Sequence, residues 1–116
     1  KGNIMNAEPF HFYSDAGHGW LAVTREDLEL VNLSADHFSG SSYISGETIY
    51  LEEDCDASLF LAAYEAFLGR APKIVEHVER GDSRIRYYGR LPGSKFSFDL
   101  WRNMMAQYRS IIERAA

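Results

Sequence analysis

Alternation of apolar and polar positions predicts two β-hairpins in the first half of the chain. The first spans residues 10–23, where aromatic and apolar runs flank a turn in which Gly17 and Gly19 permit positive φ. The second spans residues 41–52, where a turn at Gly46 separates two short alternating runs. Each hairpin is therefore expected to contribute two antiparallel strands to a sheet.

A spacing of three to four residues between apolar positions predicts three helices. Thr24 and Asp27 resemble a capping box that begins a short helix, with Asp in place of the usual Glu or Gln. A second helix is predicted over residues 57–68, because Gly69 follows its last apolar residue. The longest helix is predicted over residues 98–115, which carry a continuous apolar stripe.

The segment between the second and third helices has a weaker pattern. Residues 73–79 fit either a strand or a short helix, whereas residues 84–88 alternate clearly. A turn at Gly81 would join the two into a third hairpin. The whole pattern predicts an α+β fold, in which an antiparallel sheet of hairpins is packed on one face by two main helices.

Length and composition indicate a single domain over residues 1–116. The chain is 46% hydrophobic, which suffices for a core at this size, and no apolar stretch is long enough to span a bilayer. Residues 1–5 are expected to be either an added segment ahead of a native Met5 or a disordered start, and they do not resemble a secretion signal. The single cysteine, Cys55, excludes an internal disulfide and cysteine-rich zinc modules, and it favours a reducing compartment such as the cytoplasm.

Charge is distributed unevenly along the chain, although the net value is only −5. Residues 1–69 contain twelve acidic and two basic residues, whereas residues 70–116 contain five acidic and ten basic ones. The two parts therefore carry net charges of −10 and +5. Either they neutralise each other when the chain folds, or the molecule presents one sign of charge to a partner.

Four carboxylates are concentrated between the second hairpin and the second helix, at Glu52, Glu53, Asp54 and Asp56. Such a cluster can hold a cation, contact a basic partner or cap the helix. Asp54 or Asp56 is predicted to be the cap. The remaining carboxylates would then form a solvated rim or part of an acidic binding face.

A metal site is one hypothesis for the first two hairpins, combining His18 and Asp15 with Glu52 or Asp54. One imidazole with carboxylate oxygens suits several divalent ions, but the spacing matches no established ligand motif. The competing interpretation is that His18 is a turn residue whose ring stacks near Trp20. His77 is isolated in the sequence.

Two other kinds of site are disfavoured by their local sequence. Neighbouring carboxylates are expected to raise the pKa of Cys55 and oppose thiolate formation, so this side chain is expected to pack as a small apolar residue. The turn at Gly17 and Gly19 lacks the Lys-Ser or Lys-Thr of a phosphate-binding loop and the third glycine of a dinucleotide fingerprint.

A basic segment from Arg80 to Lys95 is interleaved with aromatic residues. This pattern is typical of surfaces that bind single-stranded nucleic acid. The negative net charge opposes autonomous binding, so direct contact with nucleic acid is not expected. The alternative is a solvated hairpin whose arginines pair with the acidic half of the chain.

Two stretches read SDAGHGWL, at residues 14–21, and YLEEDCDA, at residues 50–57. They resemble the signature stretches of a group of small uncharacterised proteins from bacteriophages, plasmids and related bacterial genomes. The resemblance covers about residues 10–68 and does not include the C-terminal helix. It implies a mobile-element protein made inside bacteria, a context in which many small acidic proteins block host defence machinery.

The leading hypothesis is a non-enzymatic binding protein that inhibits a host nucleic-acid-targeting defence system, of anti-CRISPR or anti-restriction type. Its partner would be a protein with a basic nucleic-acid-binding surface in the bacterial cytoplasm, and neither a cofactor nor a membrane is expected. The alternative is a small metal-dependent hydrolase that acts on a phosphoester through Asp15, His18, Glu52 and Asp54. A third hypothesis is a homodimer that pairs acidic and basic halves. The expected partner-binding residues are Glu26, Asp27, Glu29, Glu47, Glu52, Glu53 and Asp54.

Overall fold

The computed structural model describes residues 8–116, so the expectation for residues 1–5 lies outside the described residues. Along this part of the chain the strands and helices interleave, with two short 3-10 helices between them. A mixed six-stranded sheet with three α-helices confirms the predicted α+β class. The elements are β1 (Phe10–Ser14), β2 (Gly19–Thr24), α1 (Arg25–Leu30), β3 (Tyr43–Ser45), β4 (Thr48–Glu52), α2 (Asp56–Leu68), β5 (Ile74–Val78), β6 (Gly89–Arg90) and α3 (Phe98–Ala115).

The sheet has the strand order β5-β1-β2-β4-β3-β6, and every neighbouring pair except β1–β5 is antiparallel. Both predicted hairpins of the first half are confirmed as β1–β2 and β3–β4. Strands β2 and β4 join them, with Thr24 opposite Thr48 at one end and Trp20 opposite Glu52 at the other. Four residue steps along β4 separate these two ends by roughly 13 Å.

The predicted third hairpin is wrong. β5 pairs in parallel with β1, which makes the sheet mixed, and Arg84–Tyr87 forms a 3-10 turn instead of a return strand. The cause is a tertiary contact with the β1–β2 turn. There the carboxylate of Asp15 accepts hydrogen bonds from the backbone N–H of Ser83 and from the guanidinium of Arg86, which holds this segment away from β5.

The main core lies between the sheet and the helices. Alternate residues of β1, β2 and β4 point into it, and Phe10, Leu21, Val23, Ile49 and Leu51 are each at most 3% exposed. Burying a side chain of this size stabilises the fold by about 1.5–3 kcal/mol. The residues of α2 that complete this core are Ala57, Leu59, Phe60, Ala63 and Tyr64.

The predicted capping box at the start of α1 is confirmed. Thr24 Oγ1 accepts a hydrogen bond from the Asp27 N–H at 3.2 Å, and Asp27 Oδ2 accepts one from the Thr24 N–H at 2.8 Å. Two orphan amides of the first turn are thereby satisfied. Leu28 and Val31 are buried, so this short helix is fixed at both ends.

The predicted cap of α2 is wrong, although its C-terminal stop is right. Gly69 ends the helix at φ 79°, in the left-handed region that favours glycine. Neither Asp54 nor Asp56 caps the N-terminus. The N-cap residue is Cys55, and the capping carboxylate comes from Glu52 at the end of β4. The Glu52 side chain folds back over the turn and accepts from the N–H groups of Asp54, Cys55 and Asp56, so these amides are already occupied.

Helix α3 packs on α2 as an outer layer. Trp101 donates a hydrogen bond from Nε1 to the Cys55 carbonyl at 2.9 Å, and Met105 and Tyr108 are buried. The apolar stripe of α3 is wider than this contact, because Ile111 remains 38% exposed. Within residues 8–116, no helix combines the length and the hydropathy that crossing a membrane requires.

The opposite face of the sheet, here called the helix-free face, carries aromatic side chains. Strand alternation directs these residues away from the main core. The 3-10 turn of residues 84–87 covers part of this face through Ile85. The second buried cluster formed there consists of Trp20, Tyr43 and Ile85, with Tyr13, Tyr50 and Tyr88 packed against it.

Candidate functional site

A polar cavity of about 320 Å³ opens on the helix-free face, at the end of the sheet where β2 meets the last residue of β4. Its walls come from the β1–β2 turn, the loop before β3, the turn after β4 and the segment leading into β6. The volume is at the lower bound of pockets that hold small molecules. The lining residues are His18, Trp20, Ser41, Tyr43, Glu52, Asp54, Arg86 and Arg90.

One wall is fixed by an ion pair between Asp15 and Arg86. The Asp15 side chain is 1% exposed, and its two oxygens accept hydrogen bonds from Arg86 Nε at 2.7 Å and Nη2 at 2.8 Å. The same carboxylate accepts backbone N–H bonds from Gly17, His18 and Ser83. These donors, the guanidinium first, hold the pKa of Asp15 far below its usual range. One carboxylate therefore ties the β1–β2 turn to the 3-10 turn.

Two guanidinium groups lie over aromatic rings in the cavity. Arg86 is 5.6 Å from the centroid of Trp20, and Arg90 is 5.2 Å from the centroid of Tyr43, both within cation–π range. Arg90 also donates from Nη1 to the Gly40 carbonyl at 3.2 Å. The two rings are only 2% and 8% exposed. Their faces are thus covered by arginines and are not open for stacking a base.

Glu52 lines the cavity but is already engaged by the backbone. Its Oε2 accepts from the Asp54 N–H at 2.7 Å, and its Oε1 accepts from the N–H groups of Cys55 at 3.0 Å and Asp56 at 3.3 Å. Asp54 is exposed. The cavity therefore presents both signs of charge, and the guanidinium of Arg90 and the carboxylate of Asp54 are the groups best placed to meet a ligand or partner.

Cys55 lies next to this wall. Burial raises the pKa of its thiol, and the charges of Glu52, Asp56 and Asp54 raise it further. The raised pKa of Cys55 agrees with the prediction from sequence, which attributed it to the neighbouring carboxylates, although burial is the larger cause. A thiol with a raised pKa is a poor nucleophile at neutral pH.

Asp56 anchors the loop that forms another wall of the cavity. Its buried carboxylate accepts hydrogen bonds from Ser42 Oγ at 2.5 Å, Ser39 Oγ at 2.8 Å and the Ser39 N–H at 3.0 Å. Burial raises the pKa of Asp56 in spite of these donors. The first residue of α2 is thus committed to positioning the loop that carries Ser41.

The seven predicted partner-binding residues do not form one surface. Asp27 is buried in the capping box of α1 and Glu52 caps α2, so both have structural roles. The other five are exposed, and no Lys or Arg among residues 8–116 lies within ion-pair distance of any of them. They divide between the two ends of β4. The α1-end carboxylates are Glu26, Glu29 and Glu47, and the cavity-end carboxylates are Glu53 and Asp54.

The four residues of the hydrolase hypothesis are only partly brought together. His18, Glu52 and Asp54 line the cavity, whereas Asp15 is occupied by Arg86 and three backbone amides. Within residues 8–116, no group of three or more His, Cys, Asp or Glu side chains is arranged to hold a metal ion. Metal-assisted hydrolysis at this site would require Asp15 to leave Arg86.

Several residues of the helix-free face have roles that the sequence does not predict. Arg86, expected in a solvated hairpin, lies over Trp20. By contrast, the position of His18 agrees with the interpretation as a turn residue near Trp20, because its ring is 6.1 Å from the indole, although the two rings are tilted by 47° and are not stacked. His77, isolated in the sequence, lies against His11 on the neighbouring strand. Strand alternation predicts which face His11 occupies, but no local signal identifies β5 as the neighbour of β1.

Comparisons with protein-family models, with curated protein sequences and with solved structures give no match to this chain. The resemblance of residues 14–21 and 50–57 to mobile-element proteins therefore stays an expectation, and the geometry of the described residues is the basis for a functional proposal.

Proposed function

We propose that this chain is a non-enzymatic binding protein that inhibits a host nucleic-acid-targeting defence system, of anti-CRISPR or anti-restriction type, by presenting carboxylates to a basic surface of its target. One observation carries the proposal. The five exposed carboxylates at the two ends of β4 have no cationic partner among residues 8–116, so the anionic surplus of the first half is available at the surface.

Unpaired surface carboxylates suit such a partner for a physical reason. A protein that binds nucleic acid concentrates Lys and Arg side chains in a groove, and the resulting positive potential attracts any anionic group of the right spacing. Complementary charge raises the association rate and selects the partner, and it does so less effectively as salt increases. A carboxylate array can thus compete with the phosphates of the natural ligand.

The α1-end carboxylates are the better docking surface of the two groups. Glu26 and Glu29 are three residues apart on a helix and therefore share a side, and Glu47 lies at the hairpin tip next to the Thr48 end of β4. At the cavity end, the guanidinium groups of Arg86 and Arg90 share a pocket with Asp54, whereas one basic residue, Arg25, adjoins Glu26 at the α1 end. We therefore assign partner binding to the α1 end.

The test is inhibition of DNA cleavage by a purified RNA-guided nuclease and by a purified restriction endonuclease. The variant Glu26→Lys with Glu47→Lys is compared with the control variant Glu53→Lys with Asp54→Lys, because each changes the net charge by the same amount. The α1-end variant is expected to raise the half-inhibitory concentration at least tenfold, and the control less than threefold. Glu52 is left unchanged in both variants because it caps α2.

Two results would contradict the proposal. Equal inhibition by wild type and both variants would remove the acidic docking mechanism, and absence of inhibition of both nuclease classes at low salt would remove the inhibitor assignment. Binding of the chain to DNA alone, measured under the same conditions, would indicate that it sequesters the substrate instead. Sedimentation at low and high salt separates these outcomes from the homodimer hypothesis, since pairing of acidic and basic halves weakens as salt rises.

A further inference from the structure

A pair of histidines on the helix-free face has no role in the proposed function. His11 lies on β1 and His77 on β5, and these two strands are hydrogen-bonded neighbours in the sheet. His11 Nδ1 is 2.8 Å from His77 Nε2, and the ring centroids are 5.1 Å apart. Both side chains are half-buried, so solvent can reach the pair.

The position of the two rings is set by the sheet and by one neighbouring aromatic side chain. Tyr13 stacks on the His77 ring, with centroids 4.7 Å apart and an interplanar angle of 15°. It also lies 6.3 Å from the His11 ring at 26°. The sheet pairing and the Tyr13 ring therefore set the positions of the two imidazoles, and neither position depends on a loop.

The separation of the two nitrogens can be compared with the needs of metal coordination. Two nitrogens that are bound at about 2.0 Å to one ion and at right angles to each other lie about 2.8 Å apart, whereas tetrahedral coordination separates them by about 3.3 Å. The observed 2.8 Å, which is the length of the hydrogen bond between the rings, is close to the right-angled separation, so β1 and β5 need not move apart for an ion to bind in this arrangement. This arrangement is typical of Cu²⁺ and Ni²⁺ in square-planar or tetragonal sites, while Zn²⁺ prefers the tetrahedral one.

We propose that His11 and His77 form a binding site for a divalent transition-metal ion with right-angled coordination, preferentially Cu²⁺. Imidazole is a favourable ligand for this ion, which also binds nitrogen sites more tightly than Ni²⁺ or Zn²⁺ does. Within residues 8–116, no third His, Cys, Asp or Glu joins the pair in a metal-binding group. Water molecules therefore occupy the remaining coordination positions of the ion, and these waters can exchange with other ligands.

Binding requires one proton to move but no change of oxidation state. In the metal-free pair, one facing nitrogen donates its N–H to the lone pair of the other. When the ion binds, that proton moves through water to the second nitrogen of its own ring. Each ring must also turn by roughly 45°, because an ion bound at a right angle lies beside the line that joins the nitrogens, whereas the hydrogen bond lies along it.

The test is a titration of the full chain with Cu²⁺, followed by calorimetry and by electron paramagnetic resonance at low temperature. One equivalent is expected to bind with a tetragonal spectrum that shows coupling to two imidazole nitrogens. His11→Ala and His77→Ala are each expected to lower the affinity at least tenfold. His18→Ala and His37→Ala are the matched controls and are expected to leave it within twofold, because neither residue contacts the pair.

Unchanged Cu²⁺ affinity in the combined His11→Ala and His77→Ala variant would overturn the proposal, as would tighter binding of Zn²⁺ than of Cu²⁺ by the wild type. If either variant fails to fold, nuclear magnetic resonance of the wild type decides. Substoichiometric Cu²⁺ should broaden the ring signals of His11 and His77 first. Selective broadening of the His18 ring or of the chain's N-terminal residues would place the ion elsewhere and contradict the assignment.

Discussion

Asp15 and Asp56 are both buried aspartates, yet their carboxylates lie among different partners. The guanidinium of Arg86 and three backbone amides surround Asp15 and lower its pKa. Asp56 has only neutral donors from Ser39 and Ser42, so burial dominates and its pKa is raised. Ionisation of an aspartate therefore changes the stability of the fold in opposite directions at these two positions as the pH changes.

The sign of each contribution follows from linkage. A lowered folded-state pKa gives Asp15 a stabilising contribution that is present above the unfolded-state value of about 3.9 and is lost as the pH falls through the folded-state value. A raised folded-state pKa gives Asp56 a contribution that is present below about 3.9 and is lost as the pH rises through its folded-state value.

We expect Asp15→Asn to lower the free energy of unfolding at pH 7 by about 2 kcal/mol, since it removes the carboxylate that Arg86 hydrogen-bonds and leaves this partly exposed guanidinium only the more distant Asp82, at 3.9 Å. It should also reduce the loss of stability below pH 4. Asp56→Asn should lower the free energy of unfolding at pH 7 by less than Asp15→Asn does. It should also weaken the decline of this free energy as the pH rises above 4. Urea denaturation between pH 3 and pH 8 measures both, with Asp54→Asn as the control, because Asp54 is exposed and is in none of the ion pairs found among residues 8–116. Parallel pH profiles for the two buried variants would show that this assignment of opposite signs is wrong.

The turn between β4 and α2 shows how one carboxylate can organise the junction of two elements. Glu52 is the last residue of β4 and accepts hydrogen bonds from the N–H groups of Asp54, of the N-cap residue Cys55 and of Asp56, the first residue of α2. These amides carry the positive end of the helix dipole, which favours an ionised acceptor. The strand thus supplies the cap of the helix that follows it, and the direction in which α2 leaves the sheet is fixed by this contact.

Glu52→Ala is expected to lower the free energy of unfolding by about 1–2 kcal/mol, the usual cost of a lost helix cap. Glu52→Gln should cost less, because its amide oxygen still accepts hydrogen bonds. Glu53→Ala is the matched control at the neighbouring exposed position and should stay within about 0.5 kcal/mol of wild type. Circular dichroism during urea denaturation measures all three. A Glu53→Ala effect as large as that of Glu52→Ala would contradict the capping role.

At the scale of the whole molecule, three ion pairs among residues 8–116 join the acidic first half to the basic second half. They are Glu8–Arg70, Asp15–Arg86 and Asp36–Lys95. The hypothesis that the halves neutralise each other therefore holds for part of the charge. The α1-end and cavity-end carboxylates are outside these pairs, which is why an external basic partner remains the proposal for them.

The outer helix α3 is joined to the rest of the molecule through α2 and one indole hydrogen bond. Trp101→Phe keeps an aromatic ring but removes the donor to the Cys55 carbonyl, so we expect a loss of about 0.5–1.5 kcal/mol. The lower part of this range is favoured because the same carbonyl also accepts from the Leu59 N–H. Leu100→Ala, at a position 39% exposed, is the control and should cost less. If Trp101→Phe and Leu100→Ala lower the free energy of unfolding equally in thermal and urea denaturation, the indole hydrogen bond makes no contribution of its own and α3 is held by packing alone.

Local sequence was sufficient for the parts of the fold whose contacts are local. The β1–β2 and β3–β4 hairpins, the capping box of Thr24 and Asp27, the Gly69 stop and the bounds of α3 all agree with the pattern of residues. Each depends on interactions within a few positions along the chain, namely a turn, a cap or a period of 3.6 residues.

Long-range contacts determined the rest. The parallel pairing of β5 with β1, the 3-10 turn in place of a third hairpin and the cavity all depend on partners more than sixty positions apart, such as Asp15 and Arg86 or His11 and His77. A periodic pattern can show that a residue faces the core or the solvent, but not which distant residue shares that face. For this reason the acidic residues were recognisable from the sequence, while their division between two ends of β4 required the tertiary structure.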